Sequence, residues 1–174
     1  MKLLLLLTLT IGLTASACAQ TAGTPSAPEE STEAEQAVQV RIAEDGVHVV
    51  HFWAPWCGNS IAELQSGWYE VIEANADVSF TFVTIWNDGE TGQATLDRYA
   101  IPASVTVLAQ PDYGPSDDRS NRRRTFLGHT LTWTPTTWIF RNNGTLAYAF
   151  NYGEVSPAML QQAINDAHAS WEHD

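Results

Sequence analysis

Polar and apolar positions change period several times along the chain. Leu3 to Leu13 is an apolar run broken only by Thr8, Thr10 and Gly12. It is too short to cross a bilayer as a helix, which takes about 20 residues. Val38-Gln39-Val40-Arg41-Ile42 alternates apolar and polar, the period of a half-buried strand. Glu44-Asp45-Gly46 marks a turn, and Val47–Trp53, β-branched and aromatic, predicts a central strand. Over Asn59–Ala76, the residues Ile61, Leu64, Trp68, Val71 and Ile72 recur at helical spacing. Val78–Trp86 predicts a second buried strand, Thr91–Tyr99 a short helix ended by Pro102, and Ser104–Leu108 another strand. Residues 110–124 form a polar stretch with two Pro and four Arg. Thr136–Phe140 and Thr145–Phe150 flank Asn142-Asn143-Gly144, a hairpin signal. Ser156 and Pro157 are suited to cap and start a last helix running to Trp171, with Met159, Leu160, Ala163, Ile164 and Ala167 as its apolar stripe.

Strands alternating with helices predict an α/β fold, a mixed and partly parallel sheet with helices on both faces and a terminal antiparallel β-hairpin at its edge. At 174 residues, 44% hydrophobic and with 7 Trp, the chain has the material for one packed core. A formal charge of -12 argues against nucleic acid as partner, because phosphate binding rests on Lys and Arg displacing counterions. It argues equally against direct adhesion to an anionic membrane.

The chemistry of the first residues divides the chain further. Lys2, the apolar run and Ala15-Ser16-Ala17 fit an export signal with a small-x-small cleavage site. Ala15-Ser16-Ala17-Cys18 also resembles a bacterial lipobox, whose pattern prefers Leu where Ala15 stands. That resemblance implies acylation of Cys18 and anchoring in the cell envelope or periplasm, with simple secretion as the alternative. Residues 19–36, poor in aromatic residues and rich in Ala, Thr, Ser, Pro and Glu, read as a flexible acidic tether. The expected organisation is a signal over 1–18, a tether over 19–36 and one domain over 37–174.

Within that domain the informative segment is Val50-His51-Phe52-Trp53-Ala54-Pro55-Trp56-Cys57-Gly58-Asn59-Ser60. It sets a cysteine between a buried strand and the first turn of a helix. Unpaired N–H groups and the partial positive charge of a helix N-terminus favour thiolate over thiol. Trp53 and Trp56 supply an apolar surround for a substrate polypeptide.

FWAPWCG resembles the active-site strand and turn of the thioredoxin superfamily, and Cys57 and Glu63 fall on the W-C-x-x-C-x-x-E pattern of its TlpA/ResA-like branch. Trp133-Thr134-Pro135-Thr136-Thr137 resembles the superfamily's cis-proline strand. The resemblance covers about residues 37–174. It implies a thioredoxin-like fold, thiol-disulfide exchange at Cys57, a cis Pro135 beside it and substrate pairing at Thr134. Departures from the pattern matter as much. Ser60 stands where redox enzymes of the family carry a second Cys, Asn59 where Pro is common, Gln65 for a Pro, His51 for an acidic or amide residue and Trp133 for a glycine.

A lone Cys57 can attack a disulfide, but Ser60 cannot release the product; an external thiol or a second substrate thiol must. Two functions therefore stand. One is an envelope enzyme, a monothiol oxidoreductase or isomerase acting on disulfide- or thiol-containing polypeptides. The other is a redox-inactive thioredoxin-like module that binds polypeptides. Ser60 reads as a hydrogen-bond donor to the thiolate or as a plain helix residue. Glu63 reads as a proton-moving or tuning group or as a solvated first-turn acid, and His51 as a proton carrier or a buried neutral imidazole. Arg119, Arg122, Arg123 and Arg124 read as a docking patch for an acidic partner or as a solvated loop balanced by Asp117 and Asp118. No metal-ligand spacing joins Cys57 to His48, His51 or His129, and no glycine-rich phosphate loop occurs, so no metal or cofactor is expected. His168 and His173 are expected to face solvent.

Overall fold

Five strands make the central sheet of the computed structural model, which describes residues 30–169. Their order is β3-β2-β1-β6-β7, where β1 is His48–Trp53, β2 Ser79–Thr84, β3 Thr106–Ala109, β6 Thr136–Phe140 and β7 Leu146–Phe150. β1 pairs in parallel with β2, and β2 with β3; β6 and β7 run antiparallel and close the sheet with a hairpin. This is the expected mixed sheet with a terminal hairpin at its edge.

The central strand is buried on both faces, and its side chains divide between two cores with period two. Val49 and Trp53 point into the core shared with α2 (Gly58–Gln65), α3 (Trp68–Ala74), α4 (Gln93–Arg98) and α5 (Pro157–His168). Val50 and Phe52 point into the opposite core, with Ala34 and Val38 of α1 (Glu33–Ile42) and with Phe126, Leu131 and Trp138.

Several expectations are corrected. Val38–Ile42 is helical, not a strand. Thr32 caps α1 through a capping box with Glu35, and Ala34 and Val38, four apart, bury on one side. The fold thus takes in residues up to 36 that were expected in the tether. The buried Glu35 carboxylate also accepts the Leu127 N–H at 2.7 Å, and the Thr32 hydroxyl donates to Gln110 Oε1 at 2.7 Å.

The helix expected over Asn59–Ala76 is two helices. Gly67, at φ 131°, breaks it between α2 and α3. A Cβ on Gly67 would lie 3.0 Å from Pro157 Cγ, in a backbone region that L-residues rarely occupy. Gly67→Ala is therefore expected to destabilise the protein by about 1–3 kcal/mol, measured by urea unfolding; unchanged stability would mean that α2 and α3 can join.

The stretch 110–124 holds a 3₁₀ turn at Arg119–Asn121, and after it comes an unexpected hairpin, β4 (Thr125–Phe126) with β5 (His129–Thr130). Its turn places Leu127 at φ 48° and Gly128 at φ 75°, and a leucine does not advertise that conformation. Finally, Met159 of α5 is 55% exposed, although Leu160, Ala163, Ile164 and Ala167 form the buried stripe. His168 is exposed, as expected, near Asp77. The signal, Cys18, tether residues 19–29, Trp171 and His173 lie outside the described residues.

Candidate active site

The chain leaves the carboxyl end of β1 at Trp53 and turns through Ala54-Pro55-Trp56, the turn closed by the Cys57 N–H donating to the Ala54 carbonyl at 3.0 Å. Cys57 is the N-cap residue of α2 and lends no side-chain cap, so its sulfur is not spent on the helix. It is partly exposed and is the free cysteine among the described residues. Its Sγ donates to the Thr134 carbonyl at 3.4 Å across the site. The Thr134–Pro135 peptide bond is cis.

Ser60 is fully buried one turn into α2. Its Oγ accepts the Ala54 N–H at 3.3 Å and shares a hydrogen bond with Thr134 Oγ1 at 3.2 Å. No hydrogen bond joins it to Cys57 among the described residues. The expected donor to the thiolate is instead a brace between the β1–α2 turn and the Thr134 strand.

Glu63 is not a solvated first-turn acid. It is 1% exposed, and its Oε1 accepts the Val155 N–H at 3.1 Å. Burial pushes its pKa up to about 8 against that hydrogen bond, with the nearby Glu154 charge adding to the rise. His51 is fully buried, packed on Trp68 and Phe82, with Nδ1 3.0 Å from Thr137 Oγ1. Burial lowers its pKa to about 3. His51 Nε2 and Glu63 Oε2 face each other at 3.9 Å, too far for a hydrogen bond, and neither has another partner. At neutral pH both groups are uncharged, so this is a polar contact and not an ion pair.

Trp53 was expected at the substrate surface, but it is wholly buried, its ring against Gly92. Trp56, by contrast, is 51% exposed. Thr134 and Pro135 are buried side chains in the wall facing Cys57. The residue before them, Trp133, is 48% exposed and pairs with the exposed Tyr152 at 6.4 Å between ring centroids. Trp133 was legible only as a departure from glycine, and Tyr152 carried no signal. Arg122, read in sequence as one of four arginines in a docking patch or solvated loop, has its guanidinium 5.0 Å from the Trp56 ring and 5.3 Å from Trp86. A cavity of about 730 Å³ opens elsewhere, beside α1 and the β4–β5 turn, and contains none of these residues.

The sheet order, a cysteine at the helix start beyond β1 and the cis-proline strand opposite it define a protein of thioredoxin-like fold. Solved structures of similar fold bear out that class. A DsbF homologue from Corynebacterium diphtheriae is 18% identical, with 73% of this chain and 75% of that one covered, at a TM-score of 0.56. A thiol-disulfide isomerase from Corynebacterium glutamicum is 14% identical, covering 74% and 84%, at 0.54. A secreted disulfide oxidoreductase of Mycobacterium tuberculosis, homologous to E. coli DsbE, is 21% identical, covering 71% and 84%, at 0.51. No protein-family model and no curated protein matches the chain in sequence.

Proposed function

We propose that this protein is an envelope thiol-disulfide exchange protein that works through Cys57 alone. The observation that carries the reading is the partly exposed Sγ at the start of α2, facing the Thr134 carbonyl. The similar structures named as disulfide oxidoreductases and a thiol-disulfide isomerase support it. Export, with Cys18 as a lipid anchor, completes the proposal.

The Cys57 thiolate attacks one sulfur of a substrate disulfide. A new S–S bond joins Sγ to that sulfur, the old S–S bond breaks, and its electron pair leaves on the distal sulfur, which takes a proton from solvent. Ser60 carries no thiol, so a substrate thiol or an external thiol attacks the mixed disulfide and expels Cys57 as thiolate. The outcome is isomerisation or thiol transfer, with no net oxidation by one molecule. Thr134 and Pro135 form the wall against which the substrate lies, and Trp56 its apolar rim. Ser60 holds that wall to the turn. Glu63, whose carboxyl changes charge near pH 8, is an internal proton store below the site, with the neutral His51 beside it.

Mass spectrometry of the reduced protein mixed with a disulfide-bonded peptide tests this. The expected result is a covalent adduct at Cys57 that added glutathione releases, and none with Cys57→Ser. The exposed Trp56, Trp133 and Tyr152 favour one second reading, a module that holds polypeptides without chemistry. Peptide binding that persists with no adduct to any disulfide would establish that reading instead.

A further inference from the structure

We infer that Arg122 is a specificity-determining residue that selects polypeptides with acidic side chains beside the reacting cysteine. The inference rests on the exchange reading of Cys57 and names its substrate class. Half of the chain's 8 Lys and Arg fall within residues 119–124, on a chain of formal charge -12. Arg119 and Arg124 are exposed like Asp117 and Asp118, whereas Arg122 is half-buried. Asp118 accepts the Ser120 N–H and hydroxyl, Asp112 accepts the Arg123 N–H, and Asp88 accepts the Ser116 N–H. These carboxylates accept bonds that fold the loop, and Asp112, whose Oδ2 has no hydrogen-bond partner among the described residues, is near enough to feel the Arg122 charge.

Arg122 is held in place from three directions. Its Nε donates to the Ser116 carbonyl at 2.9 Å, and its plane lies by the rings of Trp56 and Trp86. Those rings are fixed in turn: Trp56 Nε1 donates to the Trp86 carbonyl and Trp86 Nε1 to the Arg123 carbonyl, both at 2.8 Å. The two Nη groups have no hydrogen bond among the described residues, so a fork that suits a carboxylate faces outward. Trp56 immediately precedes Cys57, so a substrate sulfur bonded to Sγ brings its neighbouring residues to this guanidinium. On the Thr134 side of the sulfur, the exposed Trp133 and Tyr152 form a second aromatic pair. That extent suits a polypeptide. At about 0.15 M salt, charges beyond roughly 8 Å are screened, so acidic groups farther off than that count for little beside Arg122.

The test uses three peptides that share one cysteine, activated as its 2-thiopyridyl mixed disulfide and flanked by Glu, Gln or Lys. Cys57 thiolate forms a disulfide with the peptide sulfur and expels pyridine-2-thiolate, which protonates to the absorbing thiopyridone. At about 0.15 M salt the second-order rate constants are expected to fall in the order Glu, Gln, Lys, by about fivefold from first to last. Arg122→Gln should flatten the order, Arg122→Lys should keep part of it, and about 1 M salt should flatten it in wild type. Equal rates for the three peptides in wild type, or an order unchanged in Arg122→Gln, overturns the inference. Binding of the reduced peptides to Cys57→Ser, read by Trp fluorescence, separates the two claims. No reaction but a Glu-over-Lys binding order removes the exchange reading and keeps the Arg122 assignment; no binding order overturns that assignment.

Discussion

Ser60→Cys is expected to convert the protein from one that stops at a mixed disulfide into one that completes the reaction. Positions 57 and 60 lie on the first turn of α2, and residues three apart on a helix have Cα atoms within the range a disulfide spans. With a reduced variant and an excess of disulfide-bonded peptide, the introduced thiol attacks the mixed disulfide. The peptide leaves as a dithiol, and Cys57 becomes bonded to the new cysteine. Mass spectrometry should find the wild type as reduced protein with a peptide adduct that exchanges back, and the variant as an intramolecular disulfide. The substitution also removes the Ser60 hydrogen bonds to Ala54 and Thr134, a loss of about 1–3 kcal/mol. An accumulating adduct in Ser60→Cys would sink the geometric argument. Full dithiol turnover by wild type without added thiol would sink the single-cysteine mechanism.

The next largest effect concerns His51 and Glu63. Glu63 keeps its proton in the folded state up to about pH 8, but releases it near 4.5 when unfolded. Its contribution is therefore greatest at low pH and is lost as pH rises from about 4.5 to about 8. His51 behaves oppositely: it stays neutral in the fold down to about pH 3 and protonates near 6.5 when unfolded, so stability is lost as pH falls through that range. Between about 4.5 and 6.5 the two slopes cancel, and above 6.5 that of Glu63 stands alone. Each slope is at most about 1.4 kcal/mol per pH unit. Glu63→Gln removes one of them. Relative to wild type, the variant should gain stability steadily as pH rises from about 5 to 8, measured by urea unfolding at each pH. Parallel curves would mean that Glu63 is ionised in the fold.

The sheet was legible because its strands are β-branched and aromatic and because Asn142-Asn143-Gly144 announces the hairpin. The first helix was not, since a five-residue alternation at Val38–Ile42 outweighed the capping pair Thr32 and Glu35, which lay in a stretch too polar to attract notice. The break at Gly67 was hidden by apolar spacing that continues across it. At the site, Cys57, Thr134 and Pro135 could be read from their motif. Burial could not: Trp53 and Trp56 look alike in sequence, and one is sealed in the core while the other is half exposed. Glu63 likewise looks like a surface acid until the Val155 backbone closes over it. Arg122 could be counted within a basic run, but only the fold brings Trp86 and Trp56 to it.

Thr32, where the described chain enters the fold, bears on how the domain would carry a mechanical load. A pull arriving through the residues before it would meet the Thr32–Glu35 capping box first. From there tension passes to Gln110, at the root of the loop that carries Arg122, and to Leu127 in the β4–β5 turn. α1 also packs Ala34 and Val38 against Val50 and Phe52 of β1, the strand paired with β6 behind Cys57. Tugging on the N-terminal side would load the Arg122 loop through hydrogen bonds and β1, the strand before the sulfur, through side-chain packing.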